Sequence, residues 1–113
     1  MMRLANLTPH DITLVCMDGA EVIIHPSGTV ARCTVRRETV ETVQVNGHLV
    51  PINRTRFGPV EGLPEPDGET WYIVSSIVAQ AVPGREDVLI VDDTVRDTSG
   101  SGRIVGAKAL ARV

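Results

Sequence analysis

Short apolar, β-branched runs alternate along the chain with clusters of glycine, proline, asparagine and serine, the pattern of many short strands joined by tight turns. Ile12-Thr13-Leu14-Val15-Cys16 turns at Asp18-Gly19 into Glu21-Val22-Ile23-Ile24, which predicts a hairpin. His25-Pro26-Ser27-Gly28 is the next turn. Residues 29–37 then alternate so that Val30, Arg32, Thr34 and Arg36 share a side, predicting a third strand with one basic face. Thr39-Val40-Glu41-Thr42-Val43-Gln44-Val45 reverses at Asn46-Gly47 into His48-Leu49-Val50-Pro51-Ile52, where asparagine and glycine meet the positive-φ demand of a type I′ turn. Phe57-Gly58-Pro59 is expected to break the strand that carries Arg54 and Arg56.

Residues 62–68, rich in proline and glycine, read as a stiff surface loop leading into Trp71-Tyr72-Ile73-Val74, a buried strand. Ser75 or Ser76 supplies an N-cap, and residues 76–82 give about two helical turns before Pro83-Gly84 stops them. Val88-Leu89-Ile90-Val91 is the next apolar strand, so this segment reads strand, helix, strand. Val95-Arg96-Asp97 and residues 103–110 form a closing hairpin around Thr98-Ser99-Gly100-Ser101-Gly102. The sum is an α+β fold, mostly antiparallel β with one short helix, built as a sandwich or a partly open barrel.

Composition narrows the function classes. A chain of 113 residues suits a single domain over residues 1–113, with a core that needs no disulfide or structural metal. The net charge of −3, with dispersed basic residues, disfavours a polynucleotide partner. Cys16 and Cys33 form no C-x-x-C pair, so a reducing, cytoplasmic setting is expected. No apolar stretch approaches the length of a membrane span, and the N-terminus lacks a signal-peptide core, so no membrane association is expected.

The candidate chemistry gathers between residues 54 and 87. Arg54 and Arg56 flank Thr55 and project from one face of an extended segment, while the Ser75-Ser76 helix start, Gln80 and Arg85 add anion-binding groups. Phe57, Trp71 and Tyr72, the chain's aromatic residues, offer stacking surfaces. Pairing of the arginines with Glu61, Glu65, Glu69, Glu86 and Asp87 is the ordinary structural alternative. His10, His25 and His48 lie in three separate turn regions without metal-ligand spacing, so no metal or other cofactor is expected. Asp92-Asp93, placed after a strand, has the composition of a magnesium or ribose site, but a solvated turn is the ordinary role of such charged residues. Ser75 and Ser76 lack a nucleophile elbow and are explained by capping, so no catalytic residue is assigned.

The sequence carries N-L-T-P-H at Asn6 to His10, P-S-G-T-V-A-R at Pro26 to Arg32, R-T-R-F-G at Arg54 to Gly58, G-L-P-E-P at Gly62 to Pro66 and Y-I-V-S-x-x-V-A-Q-A-x-P-x-R-x-D from Tyr72 to Asp87. On these motifs the chain resembles a family of small proteins encoded by tailed bacteriophages, prophages and actinobacteria. The resemblance implies an accessory factor acting in the cytoplasm of the infected host. By analogy with one class of phage anti-defence proteins, the leading expectation is tight binding and sequestration of a nucleotide-derived immune signal without catalysis. The alternatives are a small hydrolase or phosphodiesterase using His10 or His25 with Asp92 or Asp93, and a phage structural or assembly protein. A homo-oligomer is expected from the apolar strand content and from a chain too small to enclose such a ligand on every side.

Overall fold

The computed structural model describes residues 3–113, and among them lie eight strands and one helix. In chain order these are β1 (Arg3–Asn6), β2 (Ile12–Val15), β3 (Glu21–Ile24), β4 (Arg32–Val45), β5 (His48–Glu61), β6 (Thr70–Ile73), α1 (Ser76–Ala81), β7 (Val88–Arg96) and β8 (Ile104–Ala111). Six strands form one sheet in the order β1-β6-β7-β8-β2-β3, and β4 and β5 form a separate two-stranded ribbon. The longest ladders, β4 with β5 and β7 with β8, are antiparallel, as is β2 with β3. Shorter parallel ladders join β1 to β6, β6 to β7 and β2 to β8. The fold is therefore α+β and rich in antiparallel β, with one short helix.

The sheet curls until its two edge strands almost meet. Asn6 at the end of β1 forms an isolated parallel bridge with Pro26 just beyond β3, and the Ser27 amide donates to the Asn6 carbonyl at 2.9 Å. The Asn6 side chain, 1% exposed, completes the junction. Its Nδ2 donates to the carbonyls of His10 at 2.7 Å and Ile24 at 3.0 Å, while its Oδ1 accepts from the Thr8 amide and hydroxyl at 2.9 and 2.6 Å. Both donors and both acceptor sites of the amide are used, as a buried asparagine requires. A nearly closed, barrel-like sheet results.

The core follows from the apolar run Tyr72-Ile73-Val74 and the residues that cover it. Leu7, Ala31, Val78, Ala79 and Val88 are buried against Tyr72 and Val74, and Ile73 is fully buried. The crossover β6-α1-β7 joins parallel strands through a helix too short to persist alone. Packing of Val78 and Ala79 holds it, and Ser75 caps it, its hydroxyl accepting from the Val78 amide at 3.4 Å.

Beyond the core, β4 and β5 run out as an arm. Cys33 and Val60 at its base pack against the core, whereas nearly every residue farther out is exposed. The radius of gyration is 17.7 Å, against roughly 13 Å for a compact chain of this length. The arm accounts for this elongation. Asn46 and Gly47 at its tip both have positive φ, as the sequence pattern requires.

Three local expectations change. Phe57-Gly58-Pro59 does not end a strand, because β5 continues to Glu61 with a register shift where Thr34 lies opposite Gly58. A ribbon edge tolerates proline's missing N–H, and Gly58 leaves room for the Thr34 hydroxyl that a Cβ would strike. Residues 29–37 and 39–45 are not two strands with a break; Glu38 carries one continuous strand between them, beginning at Arg32. Asp92-Asp93 lies inside β7 rather than after a strand, and the positive φ of Asp93 marks an irregularity there. β1 has no counterpart among the sequence-predicted strands.

Replacing Asn6 by alanine removes hydrogen-bond partners from two carbonyls and the Thr8 amide, and is expected to cost at least about 3 kcal/mol in urea denaturation. Gly62, at the root of the arm, has φ +81 and leaves no space for a Cβ beside the Val30 carbonyl. Gly62→Ala is expected to lose about 1–3 kcal/mol from backbone strain alone, read as a lower unfolding midpoint with an unchanged slope.

Candidate functional site

A cavity of about 860 Å³ opens at one end of the curled sheet. Its floor is Ile73 and Val74 at the end of β6 with Ile90 and Val91 of β7, and one wall is Ile104 to Ala107 of β8. The rim is polar: His10 and Asp11 from the loop before β2, Ser75 and Ser76 at the start of α1, and Arg103 just before β8. A smaller cavity of about 350 Å³, lined by Leu7, Val30, Ala31 and Ile77 among others, shares Thr8, Pro9 and Ser75 with the first. A mostly apolar hollow of this size with a few convergent polar groups has the character of a small-molecule site.

The rim is positioned by short-range hydrogen bonding. Asn6 Nδ2 pins the His10 carbonyl at 2.7 Å, which fixes the loop carrying His10 and Asp11. His25 Nδ1 lies 2.9 Å from Asp11 Oδ1, joining the turn after β3 to this rim. Arg103 is delivered by the loop between β7 and β8, which is wrapped around Asp97. The Asp97 carboxylate accepts from the Ser99 amide and hydroxyl and from the Ser101 hydroxyl, bonds that hold it below the usual carboxylate range. The Asp97 amide also donates to the Arg103 carbonyl at 2.7 Å. Among the described residues the Arg103 guanidinium has no hydrogen-bond or ion-pair partner.

The sequence-predicted site residues fall into separate places. Ser75 and Ser76 line the main cavity, and Gln80 sits behind them, its Nε2 donating to the Ser76 hydroxyl at 2.9 Å. Arg54, Arg56 and Phe57 are on the arm and border neither cavity. There Arg54 lies opposite Glu38 in register, and Arg56 Nε donates to Glu38 Oε2 at 2.8 Å. Tyr72 is buried in the core, and Trp71 is half-buried with the Arg112 guanidinium 5.2 Å from its ring centroid. Arg85 is engaged inside the fold: it grips Asp87 through Nε and Nη2, each at 2.8 Å, and Nη2 also reaches the Pro64 carbonyl at 3.0 Å. The arginine-rich constellation between residues 54 and 87 is thus not one site. Of the acid and base candidates, His10 lines the cavity, whereas Asp92 and Asp93 do not.

Arg103 is the rim cation that the sequence reading passes over, since it stands alone after a flexible-looking Ser-Gly run. Its one sequence signal is Asp97, two and four residues before serines that its carboxylate can tie. The N-L-T-P-H opening carries the other signal, an asparagine two residues before a threonine it can bond. No protein-family model, curated protein or solved structure matches this chain.

The Arg85–Asp87 pair gives a pH-dependent stability term. Hydrogen bonds from Arg85 hold the Asp87 carboxyl below its ordinary range against the opposing effect of burial. With the folded pKa depressed, the contribution is present above the unfolded value of about 4 and is lost as pH falls through the lower folded value. Asp87→Asn is expected to cost about 1–3 kcal/mol near neutrality. In denaturation series run at descending pH, the gap between wild type and variant should close in acid.

Proposed function

We propose that this protein binds a nucleotide-derived small molecule in the cavity beneath Ser75 and Arg103 and withholds it without conversion. The observation that carries this reading is the pairing of a large apolar hollow with Arg103 on its rim, whose guanidinium has no partner among the described residues. A nucleotide has matching halves: a flat base suited to the aliphatic walls of Ile104 and Val91, and phosphates suited to Arg103 and the serine hydroxyls. The phage-protein resemblance of the sequence supports an accessory, anti-defence role in the host cytoplasm, where withholding a signal needs affinity and no nucleophile. Ser75 favours binding over attack, since its hydroxyl already accepts from the helix.

The test is incubation with a panel of cyclic dinucleotides and ADP-ribose derivatives, following free ligand by chromatography before and after heat denaturation of the protein. Depletion followed by recovery of unchanged compound is the expected result. Arg103→Ala should weaken retention of the depleted compound by roughly ten- to a hundredfold, the loss of one charge-assisted contact. Arg103→Lys should recover part of it, keeping charge without the planar fork. A new product would replace sequestration by the hydrolase reading, directing attention to His10 and Asp11 on the rim and to His25 bonded behind Asp11.

A further inference from the structure

The arm has two faces of different chemistry. Register places Val45 and His48, Val43 and Val50, Glu41 and Ile52, Glu38 and Arg54, and Arg36 and Arg56 as successive cross-strand pairs on one face. The register shift between Thr39 and Glu41 adds Val40 beside Glu41 on that same face. The outer half of this face is therefore a block of five aliphatic side chains, Val40, Val43, Val45, Val50 and Ile52, each 42–51% exposed. The opposite face at the same level carries Gln44, Leu49, Thr42 and Pro51. An isolated two-stranded ribbon is marginal in water, and here the ribbon stands clear of the core with β-branched rows uncovered.

We infer that this aliphatic block is the contact between two copies of the chain, packed face to face about a two-fold axis through the Val43–Val50 pair. The pattern along the face is self-complementary about that pair. In an antiparallel two-fold, β4 lies over β4 and β5 over β5: Val43 meets Val43 and Val50 meets Val50 at the axis, Val45 packs on Val40 and the aliphatic stem of Glu41, and His48 packs on Ile52. The row of Glu38 and Arg54 falls over the other copy's uncharged Asn46-Gly47 tip, and the two sets of basic residues lie at opposite ends. A single aliphatic block with no like charges opposed thus closes on itself.

The overlap is modest, about 27 Å long and roughly 10 Å wide by strand geometry, which falls below the roughly 800 Å² per partner of a standard specific interface. The dimer is accordingly reversible, with dissociation on the order of micromolar or weaker. This inference is independent of what the cavity binds, and it turns the arm from a ligand-binding strand into an assembly element.

Sedimentation velocity on the purified full chain across a dilution series, with and without substitutions, tests it. Wild type should move from dimer to monomer on dilution. Val43→Glu, on the proposed face, should raise the dissociation constant by about tenfold or more by placing a charge in the apolar contact. Leu49→Glu, on the opposite face of the same ribbon, should leave it unchanged, and matching far-UV spectra would show that neither substitution unfolds the arm. Mixing Val43→Glu with Val43→Lys should restore a mixed dimer, because the two residues meet at the axis. A wild type that is monomeric at every accessible concentration, or equal effects of Val43→Glu and Leu49→Glu, would overturn the assignment.

Discussion

Everything at the cavity end of the molecule depends on one buried amide. Asn6 joins the end of β1, the loop that carries His10, and the exit of β3 through four side-chain hydrogen bonds and one from its carbonyl. Without it the sheet has two free edges, each exposing unpaired backbone groups. With it, the curl is locked and the interior becomes a hollow with a defined rim. A polar side chain is buried here because every one of its bonds is satisfied, and its specificity for one geometry is what an apolar residue of the same size lacks.

Local signals in the sequence carried the elements whose cause is local. Asp18-Gly19, Asn46-Gly47 and Pro83-Gly84 each act through their own φ preferences, and the turns and the helix end stand where those residues put them. Ser75 as N-cap and Tyr72-Ile73 as buried strand were legible for the same reason. β1 was not, because Arg3-Leu4-Ala5-Asn6 has little β-propensity of its own and is a strand only through parallel pairing with β6. The continuity of β5 through Phe57-Gly58-Pro59 was hidden too. Glycine and proline read as breakers until a ribbon edge and the close approach of Thr34 give both of them a place.

The candidate site was legible only in part, and the division has a physical basis. Proximity in sequence gathered Arg54, Arg56 and Arg85 into one constellation, but a strand is straight, and β5 carries its arginines away from the body at over 3 Å per residue. Arg85 turns back to Asp87, two residues on, since a carboxylate within reach competes effectively for a guanidinium. Arg103 comes to the rim from far along the chain by the packing of β8 beside β2, which a single sequence does not display. The serines were found because their capping role and their place on the rim have one cause: the chain reverses from strand to helix at the cavity edge.

The parallel pairing of β1 with β6 also bears on how the chain reaches this state. Arg3 finds its ladder partner at Thr70, far along the chain, so the β1–β6 ladder closes only across a long loop. The β4–β5 ribbon, by contrast, closes through a two-residue turn and can zip early. Loop-closure entropy therefore puts the N-terminal strand among the last to dock, and the cavity rim forms with it. A chain caught before that step would display a finished arm beside an open sheet edge, the condition in which strand-to-strand aggregation competes most strongly with folding.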